Sequence, residues 1–290
     1  MGAVFGYRAF GLNIASEFEI PGGIRVEHPI SVADIVIASG DTSNGAFEAV
    51  NGPYSRNGEK LLFDAAGVAR YYAPSHKQLF VETYSGAQPR HVSELLIATA
   101  LPMLLWMRGG ILLHAAGIVP KGMEQAVAIA GPSGIGKSTL AAGLIEAGGR
   151  MVGDDSLWLT LQGDAPIVSG LSGTLFRSDG SAAHRTEIEI PAQYRVESAQ
   201  LAVIIALRIS DENTAPSANR LHGVTAIEAL LKNRHRPKIP AILGLEAALL
   251  PQTLLQCRTI PIYEFTIRRG DVAGSQRQIA SIISDNFGSV

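Results

Sequence analysis

The chain has 290 residues, 47% of them hydrophobic and 17% charged, with a net charge of −2. This composition describes a globular chain of one or two domains and excludes intrinsic disorder. The near-neutral balance, without a long basic run, gives no electrostatic case for a nucleic-acid or membrane-surface partner. From the amino terminus to about residue 90, short apolar runs alternate with turn clusters. ADIVIASG and QLFVETY read as strands, and Arg56-Asn57-Gly58, between Tyr54 and Leu61-Leu62-Phe63, reads as a hairpin turn. A helix is predicted from Val92 to Met107, ended by Arg108-Gly109-Gly110. Its apolar run, Leu95 to Met107, contains Pro102 and is too short for a membrane span. The single cysteine, Cys257, excludes an internal disulfide framework, and no basic-then-apolar leader is read. Both features suit a cytoplasmic, soluble protein.

From Ile111 the texture becomes α/β. GILLHAAGIV and AVAIA are predicted strands, and the short PKGMEQ link between them implies antiparallel pairing. TLAAGLIEA is a predicted helix with Leu140, Leu144 and Ile145 on one side. RMVGDDSLWLT reads as the next strand, with further strands at LAVIIALRI and IPIYEFTI. Helices are predicted at TAIEALLKN, LGLEAALLPQTLLQ and QRQIASIISDNF, and ISDENTAPSANR reads as a polar, solvated loop. The expected organisation is a small, strand-rich α+β domain over residues 1–108 and an α/β domain over residues 109–290.

Between the AVAIA strand and the TLAAGLIEA helix stands GPSGIGKST, and strand, glycine-rich turn and helix form the setting of a phosphate-binding P-loop (Walker A motif). Its residues are Gly131, Pro132, Ser133, Gly134, Ile135, Gly136, Lys137, Ser138 and Thr139. Glycines let successive N–H groups turn inward on a phosphate chain. Lys137 is expected on the β- and γ-phosphates, Ser138 on Mg²⁺, and the following helix presents its positive end to the anion.

Asp154 and Asp155 end the strand after that helix. In an α/β sheet this is where catalytic groups gather. One carboxylate can accept a proton from an attacking hydroxyl while the other serves the metal; a plain turn would also use such a pair. No Asn-Lys-x-Asp guanine reader is present, and Gly170-Leu171-Ser172-Gly173 lies too close to the loop for a transporter signature. Asp154 is likewise too close to be a transporter's distant acid. A kinase remains, in which a positioned carboxylate activates a hydroxyl.

The run RGGILLHAAGIV, the block AVAIAGPSGIGKSTLAAGLIEAGGRMVGDD and, more weakly, HGVTAIEALLKN resemble the HPr kinase/phosphorylase superfamily over residues 108–270. The amino-terminal part is more similar to HPr-kinase-related proteins of peptide-modification systems, including lasso-peptide ones. The resemblance implies a P-loop kinase core with a mixed sheet, ATP and Mg²⁺ as cofactors, and a serine or threonine of a peptide or small protein as substrate. It implies that Asp154 accepts the substrate's proton, that Asp155 is its partner near the metal together with Ser138, and that His114 lies close to the transferred phosphate. From the residues alone, His114 either orients the acid pair or is a core histidine bonded to backbone.

The family's glycine-rich segment for the reverse reaction is absent. FRSDGSAAHRTEIEIPAQYR stands in its place, which removes support for phosphorylase activity and for HPr itself as substrate. Arg185 in that segment can pair with phosphate and Glu187 can contact metal or substrate. The same segment also reads as an exposed hairpin with Glu187 and Glu189 in solvent and Ile188 and Ile190 inward. KNRHRPK, Lys232 to Lys238, reads as a helix cap and solvated loop. A small-molecule kinase and a non-catalytic ATP-binding regulatory or assembly module are the competing readings, and a homo-oligomer is left open.

Overall fold

The structure is a computed structural model that describes residues 4–27, 30, 32–42, 47–178, 185–209, 217–267 and 272–287. Its first sheet is built from β1 (Phe5–Ala9), β2 (Leu12–Ser16), β3 (Ile24–Val26), β4 (Ile35–Ser39), β5 (Glu48–Asn51), β6 (Tyr54–Asn57), β7 (Lys60–Ala65), β8 (Ala69–Ser75) and β9 (Gln78–Thr83). The strand order is β3-β1-β2-β4-β9-β8-β7-β6-β5, with β4 parallel to β2 and β9 and the other pairs antiparallel. The turn read at Arg56-Asn57-Gly58 joins β6 to β7, with Gly58 at φ 59°.

The predicted helix is longer than its apolar run and is not uniform. It comprises α1 (Pro89–Leu95), a π-helical turn over Leu96–Ala100, and α2 (Leu101–Arg108). Leu101 to Trp106 are all buried. Pro102 lies inside this continuous run, directly after the π-helical turn, and the Ala98 carbonyl it cannot bond accepts from His235 and Arg236 instead. The helix packs against β8 of the first sheet and against the first strand of the second. The Tyr71 hydroxyl, on β8, donates to the Val92 carbonyl at 2.8 Å. One apolar cluster therefore runs from Tyr7 and Leu79 through Trp106 to Leu113 and Leu230.

The second sheet contains β10 (Ile111–Leu113), β11 (Ala115–Val119), β12 (Ala126–Ala130), β13 (Arg150–Gly153), β14 (Leu157–Gln162), β15 (Ala165–Gly170), β18 (Ser198–Ile209), β19 (Ser217–Leu221) and β20 (Ile262–Ile267). A separate two-stranded ribbon is made of β16 (Thr174–Ser178) and β17 (Arg185–Glu189). The second sheet's order is β10-β14-β15-β18-β12-β11-β13, and β20 pairs with both β18 and β19. β12, β18 and β20 run parallel, and β11 pairs antiparallel to β12 as the short PKGMEQ link predicts. Helix α3 (Lys137–Glu146) follows β12, α4 (Gly223–Lys232), α5 (Lys238–Leu243) and α6 (Glu246–Thr259) precede β20, and α7 (Val272–Phe287) closes the chain. The architecture is mixed α/β with two large mixed sheets.

Residues of β12 alternate in destination with the pleat. Val127 and Ile129 pack with Leu140 of α3 and Ile279, Ile282 and Ile283 of α7, whereas Ala126, Ala128 and Ala130 join the larger cluster that includes Ala226 and Leu230 of α4. Strand β12 is thus covered on both faces, as its continuous apolar composition requires.

Two expectations are corrected. Ser217–Leu221 is a strand rather than solvated loop, because its backbone pairs with β20 although Ser217 to Arg220 are exposed. Ile188 is 36% exposed, and only Ile190 turns inward. Among the described residues no helix is long and apolar enough to cross a membrane.

Gly153, the last residue of β13, faces Gly170, the last of β15. A Cβ on Gly153 would stand 2.8 Å from the Gly170 Cα and 2.9 Å from the Leu171 nitrogen. Backbone on both sides cannot yield cheaply. Gly153→Ala is therefore expected to destabilise the chain by about 1–3 kcal/mol, read as a lower denaturant midpoint in urea unfolding. An unchanged midpoint would show that the close approach is not needed.

Candidate functional site

Strand β12 ends at Ala130, Gly131 follows it, and α3 begins at Lys137. Gly131 has φ 151°, and a Cβ there would come within 3.2 Å of Leu207 Cβ. Gly136 has φ 109°, with nothing within 4 Å of where its Cβ would be. Gly131 is required by crowding as well as conformation, and Gly136 by conformation alone. Gly136 is also the N-cap of α3 and provides no side-chain cap. A glycine turn opening into a helix without a side-chain cap is suited to an anion. Ile135 is buried against Leu140 and Leu207, anchoring the turn to the core.

Lys137 is only 6% exposed. Its ammonium group donates to the Gly131 carbonyl at 2.9 Å and the Pro132 carbonyl at 3.0 Å, and lies 2.9 Å from His114 Nε2. An ammonium has three donors and no acceptor. His114 Nε2 must therefore receive the third hydrogen bond, and the ring's proton sits on Nδ1. That Nδ1–H donates to the Asp155 carbonyl at 3.0 Å and lies 3.6 Å from Asp155 Oδ1. His114 is only partly buried, so it is not a core histidine, and its ring bonds to the Asp155 backbone while touching Lys137 and the Asp155 carboxylate. The residue falls at the break between β10 and β11, where its N–H donates to the Asn233 carbonyl at 2.7 Å.

The two aspartates occupy different environments. Asp154 is 1% exposed, receives the Ser138 hydroxyl at 3.1 Å on Oδ1 and accepts the Phe176 N–H at 2.9 Å on Oδ2. Burial pushes its carboxyl up to about 6, the charge of Asp155 adds to the rise, and the bonds from Phe176 and Ser138 oppose it. Asp155 has φ 67° and a partly exposed side chain. It lines a cleft of about 960 Å³ together with His114, Gly131, Pro132 and Ser133. A left-handed conformation is tolerated best by glycine and then by Asn and Asp. Here it turns consecutive carboxylates to different sides.

Thr139 is half-buried on α3, and Gly134, at φ 78°, has open space at its Cβ position. The ribbon holding Glu187 exists as the hairpin reading predicts, but Glu187 reaches Arg90 at 3.4 Å and lines a separate cleft with Glu17, Glu19 and Glu94. The side chain of Arg185 and all of His184 lie outside the described part of the structure.

Sequence reasoning missed His235. KNRHRPK is not a solvated loop throughout, because Arg234 is 8% and His235 6% exposed. The His235 N–H donates to the Leu112 carbonyl at 2.8 Å, and its carbonyl accepts the Trp106 indole N–H at 3.1 Å. Arg234 pairs with Glu246 at 2.7 Å. The His235 ring lies 5.8 Å from that of His114, centroid to centroid. Burial lowers its basicity, to about 4. A histidine between two arginines in an otherwise polar run was the one available signal.

No family model and no curated protein matches the chain. Among solved structures, the HPr(Ser) kinase/phosphatase from Coxiella burnetii is similar at 15% identity and a TM-score of 0.38, covering 60% of this chain and 97% of its own. So loose a likeness does not decide function, which rests on the site.

The Asp154 environment has a consequence for stability. Folded, the carboxyl keeps its proton up to about pH 6; unfolded, it releases it near its ordinary value of 3.8. Between these values the folded chain binds more protons, so stability falls as pH rises through that window and stays lower above it. Asn in this place can accept from Phe176 and donate to Ser138. Without metal or nucleotide, Asp154→Asn is expected to be more stable than wild type at pH 8, on the order of 3 kcal/mol, and equal to it only below the window, near pH 3. Comparing the two chains cancels the opposite trend contributed by His235. A difference independent of pH, measured by denaturant unfolding, would contradict this account.

Proposed function

We propose that the chain is an ATP- and Mg²⁺-dependent kinase that transfers the γ-phosphoryl group to a serine or threonine hydroxyl of a peptide or small protein. The observation that carries the reading is the hydrogen bond of Ser138 to Asp154 beneath the glycine turn, with Asp155 beside it facing the cleft. A loop hydroxyl paired with a strand-end carboxylate is the donor set that holds Mg²⁺ in P-loop enzymes. All of these are oxygen donors, as Mg²⁺ prefers. When bound there, Mg²⁺ would neutralise charge on the β- and γ-phosphates.

The geometry supports a division of labour opposite to the one implied by the family resemblance. Asp154 has both oxygens engaged inside the protein and is the metal-side acid. Asp155 opens to the cleft and is the group placed to accept the proton of an incoming hydroxyl. The acceptor oxygen then bonds to the γ-phosphorus as the bond to the β-phosphate oxygen breaks and ADP leaves. N–H groups of the turn hold the phosphates, and Lys137 leaves its two carbonyls to follow the charge. His114 fixes the backbone that carries Asp155 and is a positioning residue.

The rim of the cleft supports a segment of chain as acceptor. Arg208, Glu228 and Lys232 stand there with exposed side chains, 68%, 57% and 76% accessible. An enclosed metabolite pocket would bury such groups. A ribosomally made precursor peptide is the acceptor we favour, and we assign its recognition to the amino-terminal sheet.

The test is incubation with γ-labelled ATP, Mg²⁺ and peptides encoded beside the chain's own gene, followed by mapping of the labelled residue. Lys137→Ala and Asp155→Asn are each expected to lose at least about 10²-fold in transfer, with Asp155→Asn retaining ATP affinity. Wild-type transfer by Asp155→Asn would remove the base assignment, and wild-type transfer by Lys137→Ala would remove the loop from catalysis.

A further inference from the structure

Beside the oxygen-lined position under the turn, the cleft holds a second group of metal-binding atoms. One ligand atom each from His114, Asp155 and His235 lie within 4.8 Å of one another. They converge from three places in the chain: the β10–β11 break, the end of β13, and the segment after α4. We infer that these three residues form a site for a divalent transition-metal ion of the Co²⁺ or Zn²⁺ class, distinct in chemistry from the Mg²⁺ position at Ser138 and Asp154.

Three observations support it. First, the donors are two imidazoles and a carboxylate, a set that suits Zn²⁺, Co²⁺ and their neighbours, whereas Mg²⁺ favours oxygen. Second, each imidazole is anchored through one nitrogen on a backbone carbonyl. His235 Nε2 lies 3.1 Å from the Ala98 carbonyl and His114 Nδ1 lies 3.0 Å from that of Asp155. Such bonds orient a metal-binding histidine and leave its other nitrogen as a lone pair. Third, His235 is buried yet lines the cleft, and its backbone is held to Leu112 and Trp106. Its Nδ1 is therefore an acceptor on a rigid support.

Lys137 adds a condition. In the nucleotide-free chain its ammonium sits on His114 Nε2 at 2.9 Å. A metal ion and this ammonium compete for one lone pair, and removing the charge should strengthen metal binding. The inference rests on the kinase reading only for what withdraws Lys137 in use, namely the nucleotide's phosphates; the metal site itself can be tested without nucleotide.

The experiment is titration of the untagged full chain with Co²⁺, without nucleotide, followed by visible absorption and calorimetry. One Co²⁺ per chain is expected, with the ligand-field bands of a nitrogen-containing site. His235→Ala and the isosteric Asp155→Asn should each weaken binding at least tenfold. Lys137→Met should tighten it, and His91→Ala, at an exposed histidine outside the cleft, should leave it unchanged. Each substituted chain is checked for wild-type circular dichroism, and Asp155→Asn decides the matter if His235→Ala does not fold. Absence of Co²⁺ binding in both wild type and Lys137→Met, or equal affinity in wild type and Asp155→Asn, would overturn the inference. Mg²⁺-supported phosphoryl transfer without Co²⁺ binding would end this inference alone. Co²⁺ binding without transfer to any acceptor would end the kinase reading alone.

Discussion

A buried ammonium group organises the cleft. Lys137, at 6% exposure, is held by two loop carbonyls and the His114 ring, and a buried ammonium requires such acceptors. That requirement selects the tautomer of His114, and the tautomer in turn places an N–H on the backbone of Asp155. Lysine, loop, histidine and acid pair thus form one connected network. Among the partners of its cation are two carbonyls and an imidazole, neutral acceptors that a phosphate can replace.

The fold delivers these groups by interrupting strands where the sheet ends. The apolar run around His114 breaks into β10 and β11, and the run around the aspartates breaks into β13 and β14. In each pair the two strands sit at different positions in the sheet, so the chain must turn at the interruption, and the polar residues stand at the turns. The glycine pair Gly153 and Gly170 lets β13 and β15 close beneath the acids. The helix from Pro89 to Arg108, buried over Leu101–Trp106, then ties this end of the sheet to the amino-terminal strands through Trp106, whose indole holds the His235 carbonyl.

The motif and its setting were legible because they are local. A strand, a glycine turn, a helix and a strand-end acid pair follow one another within a short stretch, and each has its own composition. The β16–β17 hairpin was legible for the same reason. What escaped was made by distant pairing. β19 has no apolar period because Ser217 to Arg220 are exposed, and it is a strand only through hydrogen bonds to β20. His235 looked like part of a solvated basic run, yet its segment is stitched to β10, more than a hundred residues earlier in the chain. The different environments of the two aspartates were equally unreadable from spacing, because adjacent carboxylates differ here through burial and through the left-handed turn at Asp155.

The central claim is that Lys137 is parked on the loop and on His114 until a nucleotide's terminal phosphates take its place. A crystal structure of the chain with Mg²⁺ and a non-hydrolysable ATP analogue tests it most directly. The account predicts the triphosphate cradled by residues 131–138, Lys137 Nζ moved from the Gly131 and Pro132 carbonyls onto phosphate oxygens, and Asp155 facing the γ-phosphate. A nucleotide bound elsewhere, or Lys137 still on those carbonyls with the triphosphate in the turn, would contradict it.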